Sequence, residues 1–238
     1  MMQKKSITKE ELQSLIPREW REVLSSELTK PYWDNIVEAL NKAELNIAPP
    51  INEVFNAFKL KPKDVKVVLI GQDPYPTVGE AHGYSFSVKE TVKNIPPSLK
   101  NMVKELNAEY STKIVLANGN LEKWANDGVL LLNAILTTLP NTRLAHKDIG
   151  WEQFTRAILE YFASKTDNVL FLLLGGQAKK TMEGIVISDR YRLIYAGHPS
   201  PVNTTGSFLG SNCFRAVNAQ LLSRHILPIR WTSLLNAK

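Results

Sequence analysis

Asp73, Asn133 and His198 each combine a chemically useful side chain with a place at the end of an apolar run. Asp73 comes just after Val65-Lys66-Val67-Val68-Leu69-Ile70-Gly71-Gln72, Asn133 closes Gly128-Val129-Leu130-Leu131-Leu132, and His198 comes after the run from Tyr191 to Ala196. Together they offer an ionised carboxylate, an amide that both accepts and donates hydrogen bonds, and an imidazole that can donate one while neutral. Apolar, partly β-branched runs of this length read as strands buried on both faces of a mostly parallel sheet. Parallel strands all end on one edge, which is where open α/β sheets bind ligands. The three side chains can therefore converge, together with Gly175-Gly176 at the end of a further run, Val169 to Leu174. Taken singly, each could equally be a polar residue capping its own loop.

The elements that must hold these residues can be read from spacing. Trp33, Ile36, Val37 and Leu40 predict a helix from Pro31 to about Ala43. Leu99, Met102, Val103 and Leu106 predict one from Ser98 to Ala108, and Phe154, Ile158 and Phe162 one from Trp151 to about Ala163. Asn212 is a good cap for a last helix ending at Ser223. Shorter helices are expected at Glu10 to Ile16, from Pro17, across Ile51 to Phe58, around Leu121 and Trp124, and from Gln177 to Met182. Strands alternate with helices, so the expected class is α/β, a three-layer α/β/α arrangement around a central four-stranded parallel sheet. One domain spans 1–238, with a frayed N-terminus at 1–9. Gly71 is expected to let the chain turn sharply, and Pro74 and Pro76 to stiffen the loop around Tyr75. The long loop before Pro97 carries Tyr84 and Phe86, and a loop of that length in a compact domain is usually functional.

Bulk properties narrow the classes. The chain has 29 basic and 23 acidic residues, a net charge of +6, which fits a polyanionic partner without requiring one. No run is long and apolar enough to cross a membrane, and no secretory signal core comes after Met1. Cys213 is the only cysteine, so an intrachain disulfide and a cysteine-rich metal site are excluded. That suits a reducing compartment, and a cytoplasmic location is expected. Cys213 reads as a buried structural thiol. No cluster has metal-ligand spacing, and the glycines at 79, 83, 175 and 176 form no dinucleotide or phosphate-loop fingerprint. Neither metal nor cofactor is expected.

Five segments in order resemble the uracil-DNA glycosylase family: Gly71-Gln72-Asp73-Pro74-Tyr75, Ile95-Pro96-Pro97-Ser98-Leu99, Gly128 to Asn133, and His198-Pro199-Ser200-Pro201 with Gly206-Ser207-Phe208-Leu209-Gly210 after it, with Ala81 to Ser87 also matching. The resemblance runs from about residue 17 to 235. It implies a monofunctional enzyme that hydrolyses the N-glycosidic bond of a deoxyuridine flipped out of DNA, single- or double-stranded, leaving an abasic site. It further implies that Asp73 positions water and that His198 stabilises the departing uracil anion. Gln72 would contribute mainly backbone contacts, Asn133 would read the N3–H and O4 edge of uracil, Phe86 would stack on the base, and Tyr75 would exclude the methyl group of thymine. Ser98, Ser200 and the amides of Gly175 and Gly176 would hold phosphates, and Val202 would fill the gap left by the base. Lys100, Lys147, Lys179 and Arg215 read by default as solvated surface charges, with diffuse attraction to DNA as the alternative.

The chain departs from the family pattern at several points. Pro76 stands where many members have histidine, Val202 where a longer apolar wedge is usual, Gly176 where serine is frequent, and Leu174 where tryptophan is frequent. A weaker plug and a backbone-only phosphate contact at Gly176 are expected. The resemblance also implies a monomer, and proteinaceous inhibitors as possible partners. Other readings are a glycosylase acting on mismatched thymine, against which Tyr75 and Asn133 argue, and a binding or processivity protein that uses the fold as a scaffold.

Overall fold

The computed structural model describes residues 6–113, 115–165, 167–202 and 208–234. Four strands, β1 (Val67–Gly71), β2 (Val129–Asn133), β3 (Leu170–Leu174) and β4 (Leu193–Ala196), form one parallel sheet in the order β2-β1-β3-β4. Every residue of β1, β2 and β3 is buried, as strands covered on both faces require. The register pairs Gly71 with Asn133, so the ends of β1 and β2 finish level. The chain leaves β1 and β3 towards opposite sides of the sheet, which opens a crevice above their carboxyl ends.

The connections explain the three layers. Between β1 and β2 lie α4 (Pro97–Tyr110) and α5 (Glu122–Asn126); between β2 and β3 lies α6 (Trp151–Lys165); between β3 and β4 lies α7 (Gly176–Thr181). Crossovers are right-handed, and the first runs opposite to the next two, so α4 and α5 cover one face while α6 and α7 cover the other. Aromatic packing mirrors this division. Trp124 of α5 meets Trp231 and Phe214 of α8 (Cys213–Ser223). Phe154 and Phe162 of α6 meet Phe58, Trp20 of α2 (Arg18–Val23) and Trp33 of α3 (Tyr32–Lys42). No helix among the described residues is long and apolar enough to cross a membrane.

Three local expectations change. The strand predicted from Tyr191 starts at Leu193, because Arg190–Arg192 form a 3-10 turn. Arg192 is fully buried there and donates to the carbonyls of Val169, Ala163 and Phe162 at 2.9, 3.1 and 2.6 Å, holding the end of α6 against the start of β3. At the N-terminus, order begins earlier than the fraying expected through residue 9. The backbone of Ile7 exchanges two hydrogen bonds with the Asn41 amide, and Thr8 forms a capping box with Glu11 at the start of α1 (Lys9–Ser14); residues 1–5 lie outside the described residues. Finally, Asn212 sits before α8 at φ 53° and makes no capping bond through its side chain. The α4 carboxylates supply that function: Glu105 accepts from the N–H groups of Gly210 and Asn212, and Glu109 from those of Phe214 and Arg215.

Candidate active site

A cavity of about 190 Å³ opens above the carboxyl ends of the strands, and Gln72, Asp73, Tyr75, Phe86, Ser98, Asn133, His198 and Ser200 all line it. Eight of the expected site residues thus meet in one place, from separate stretches of chain. Gly175 and Gly176 are not part of the lining.

Asp73 hangs from the loop after β1, with a side chain only 2% exposed. Its Oδ2 accepts from the Leu144 N–H at 2.9 Å, and its Oδ1 lies 3.4 Å from Nη2 of Arg143. Neither partner is legible in the sequence. Both belong to the connection between β2 and α6, which has no periodicity to read. That connection is nevertheless well ordered by hydrogen bonds. Asn141 N–H donates to the Pro76 carbonyl at 2.8 Å, and Ala145 N–H to Thr138 Oγ1 at 3.2 Å. Thr138 also exchanges backbone bonds with Ala48. Leu144 is held at φ 57°, a left-handed conformation that costs a branched residue of order 1 kcal/mol and persists where surrounding structure enforces it. Here it turns the amide towards the Asp73 carboxylate.

Gly71 plays a different part from the one expected. It lies within β1 and needs no unusual turn; what it gives is room. A β-carbon there would stand 2.2 Å from Oδ1 of Asn133 and 2.8 Å from Cβ of Ser85. Asn133 can therefore lie flat across the end of β1, facing the cavity. No hydrogen bond from another described residue fixes its amide, so packing against the bare backbone sets its position. The backbone beyond β2 also holds the adjoining turn, since Ala134 and Ile135 donate to the carbonyls of Gly71 and Gln72 at 2.9 and 3.0 Å.

Phe86 sits at φ 61°, a genuine outlier for a bulky residue. Ser85 anchors it, through N–H to the Leu131 carbonyl at 3.0 Å and Oγ to the Leu69 carbonyl. The strain holds the Phe86 ring half-buried at the cavity, 5.9 Å from the His198 ring. Tyr75 reaches the Phe86 carbonyl through its hydroxyl at 3.5 Å, and burial pushes its phenol well above the usual range.

His198 lies just beyond β4. Its Nδ1 accepts from the Ser200 N–H at 3.0 Å. An amide can only donate, so Nδ1 carries no proton and the neutral ring bears its hydrogen on Nε2. Burial, and then the Arg143 charge, lower its pKa and favour this neutral form. The ring comes close because Gly175, at φ 89°, has no β-carbon; one would stand 2.7 Å from Cβ of His198. The Gly175 N–H is already bonded to the Ala196 carbonyl at 2.9 Å, so the expected phosphate contact by that amide is corrected. Gly176 has open space around it. Val202 is 83% exposed beside His198, while residues 203–207, including Gly206 and Ser207 of the matching segment, lie outside the described residues. Asn101 of α4 donates to the Pro199 carbonyl at 2.8 Å, tying the Ser98 helix to the His198 loop.

Among the described residues no three His, Cys, Asp or Glu side chains gather as metal ligands would. Cys213 is buried, and its thiol is pushed up to about 12. The site's chemistry is that of a fixed carboxylate, an imidazole N–H donor, an amide and an aromatic face lining one small cavity. It can hold a flat, hydrogen-bonding ring and stabilise charges of both signs.

Residues 58–222 match the model of the Uracil DNA glycosylase superfamily. The chain is 41% identical over 222 residues to uracil-DNA glycosylase 2 of Streptomyces coelicolor, covering 92% of this chain and 96% of that protein. It is 40% identical over 215 residues to the uracil-DNA glycosylase of Idiomarina loihiensis, covering 89% and 99%. Its fold matches the crystal structure of mimivirus uracil-DNA glycosylase with a TM-score of 0.83 and 28% identity, over 92% of this chain and 88% of the other. A variant of the mimivirus protein in complex with UGI matches equally well, with a TM-score of 0.83.

Proposed function

The chain belongs to the uracil DNA glycosylase superfamily and excises uracil from DNA, and from that premise we propose how its own residues divide the reaction. The observation that carries the proposal is that Asp73 and a His198 ring protonated on Nε2 line one cavity with Asn133 and Phe86. A deoxyuridine rotated out of the stack places its base against Phe86. Asn133 meets its N3–H and O4 edge with acceptor and donor. Cytosine offers the reverse polarity and leaves those groups unpaired as long as the amide keeps the orientation that packing against Gly71 sets, a costly mismatch in a closed site. Tyr75, half-buried and hydrogen-bonded to the Phe86 carbonyl, stands where a 5-methyl group would have to fit.

As the N-glycosidic bond stretches, negative charge moves onto uracil and positive charge onto the sugar. His198 donates from Nε2 to the uracil oxygen that gains charge. Asp73 faces the sugar, stabilises its cationic character and guides the attacking water. Water adds to C1′, its released proton goes to solvent through the carboxylate, and the departed uracil anion takes up a proton from solvent. The products are uracil and an abasic site, with no covalent enzyme intermediate and no strand cleavage. Ser98, Ser200 and the Gly176 amide hold backbone phosphates, and exposed Val202 enters the stack. The whole chain acts as one catalytic domain, as a monomer in the cytoplasm, and since a variant of the similar mimivirus protein is in complex with UGI, an inhibitor of that kind is a fitting partner.

The test is uracil release from uracil-containing and matched thymine-containing oligonucleotides in chelator. Wild type should release uracil only. Asp73→Asn and His198→Ala should each lose about 10²–10⁴-fold in rate while still binding DNA. An Asp73→Asn enzyme within tenfold of wild type would overturn the assignment of the carboxylate.

A further inference from the structure

We propose that Arg143 is an exchangeable counter-ion: it rests on Asp73 in the free enzyme and passes to a DNA phosphate beside the flipped nucleotide in the complex. This rests on the reading of Asp73 as the catalytic carboxylate.

The geometry separates what fixes Asp73 from what merely neutralises it. Oδ2 is held by the Leu144 amide, a backbone donor clamped by the loop around it. Arg143 adds nothing to that orientation. It touches Oδ1 with a single nitrogen at 3.4 Å, on a side chain 70% exposed to water. One long, solvated contact of this kind is weak. A phosphate accepts two parallel N–H bonds from a guanidinium at much shorter range, so it is the stronger partner. Arg143 also lies where such a phosphate must pass. It lines the same cavity as His198, Ser98 and Ser200, so a nucleotide whose base occupies that cavity brings its own phosphates within reach of this exposed guanidinium. The clamped backbone leaves only the Arg143 side chain to move.

The exchange has a catalytic consequence. The Asp73 charge favours the cation-like sugar, and a guanidinium left in contact would oppose it. Covering the site with DNA excludes water and strengthens that opposition. Transfer to phosphate frees the carboxylate only when a DNA backbone is seated. The enzyme thereby distinguishes uracil in a strand from the free nucleoside, through a residue that never touches the base.

The experiment uses single-stranded uracil oligonucleotides in which each flanking phosphate in turn is replaced by a neutral methylphosphonate. With wild type, one position should raise KM and lower the saturated single-turnover rate, each roughly tenfold, because Arg143 then stays on Asp73. Arg143→Ala should raise KM about tenfold on normal DNA and make the log–log salt dependence shallower by about 0.7. For this variant the same methylphosphonate should carry no further penalty. Arg143→Lys, charged but without the fork, should fall between. Wild-type KM and salt slope in Arg143→Ala, or equal methylphosphonate penalties in both proteins, would overturn the exchange. If Asp73→Asn is inactive while these couplings are missing, the exchange alone fails. If Asp73→Asn stays active, the underlying reading of Asp73 fails and the exchange with it.

Discussion

Two glycines decide how closely the reacting side chains approach one another. Gly71 admits the Asn133 amide and Gly175 admits the His198 ring, each at a distance no β-carbon would tolerate. Gly71→Ala keeps an allowed strand conformation but displaces Asn133, the group that reads uracil. It should cost about 1–3 kcal/mol of stability, measured by urea unfolding. It should also lower kcat/KM for uracil-containing DNA at least tenfold, the cost of one misplaced hydrogen-bonding group. A second prediction concerns His198. Burial and Arg143 both lower its pKa, so the ring signals should titrate by NMR below the usual histidine value near 6.5. In Arg143→Ala the midpoint should move up, because a nearby positive charge is gone. Asp73, Asn133 and His198 are legible in the sequence because each stands at or just beyond the end of a strand. The room that the two glycines give is not, since it depends on which side chain a neighbouring strand brings alongside.

At the scale of elements, the strands and long helices are readable from periodicity, and their caps are not. Glu105 and Glu109 sit on the apolar face of α4 beside Met102 and Leu106, a core position for acidic residues and the one signal that could have exposed them. They reach more than 100 residues along the chain to the start of α8, and Glu105 pins Gly210 and Asn212 at the foot of the loop that begins at His198. Glu105→Ala leaves two N–H groups without their acceptor. It should cost about 2–4 kcal/mol, seen as a lower Tm, and should weaken DNA binding by loosening that loop, seen as a raised KM. Arg192 offers the contrast. It is as deeply buried but lies at the other end of β4, away from the cavity. Arg192→Met strips three carbonyls of their donor and should destabilise by about 2–4 kcal/mol, yet leave the rate per folded molecule near wild type. Arg143 and Leu144 are hidden for the same reason as the caps. They lie in an irregular connection, and only the folded loop brings them to Asp73, some 70 residues earlier in the chain.

For the whole molecule, buried ionisable groups set how stability responds to acid. His82 is buried, bonded through Nε2 to Ser87 Oγ at 2.7 Å, and its pKa is lowered to about 4 by burial and by the charges of Lys89 and Lys59. Burial also lowers His146, whose Nδ1 meets Thr137 Oγ1 at 2.8 Å, and His198. The unfolded chain takes up protons on these rings near pH 6.5 and the folded one does not, so stability falls as pH drops below 6.5. For His82 alone the loss is complete near pH 4 and is on the order of 3 kcal/mol. Glu109 acts in the opposite sense. Burial, with Glu105 beside it, raises its carboxyl to about 7 despite two backbone donors. Between pH 7 and 4.5 the folded protein holds a proton there that the unfolded chain lacks, so this group gains stability on acidification. The histidines outnumber it, and the net slope should be a decline. Urea titrations from pH 7.5 to 4.5 should show that decline in wild type. It should become steeper in Glu109→Gln, which removes the opposing group, and shallower in His82→Gln, which removes the largest contributor. A slope that does not change in either variant would show that these two buried groups are not what sets the molecule's tolerance of acid.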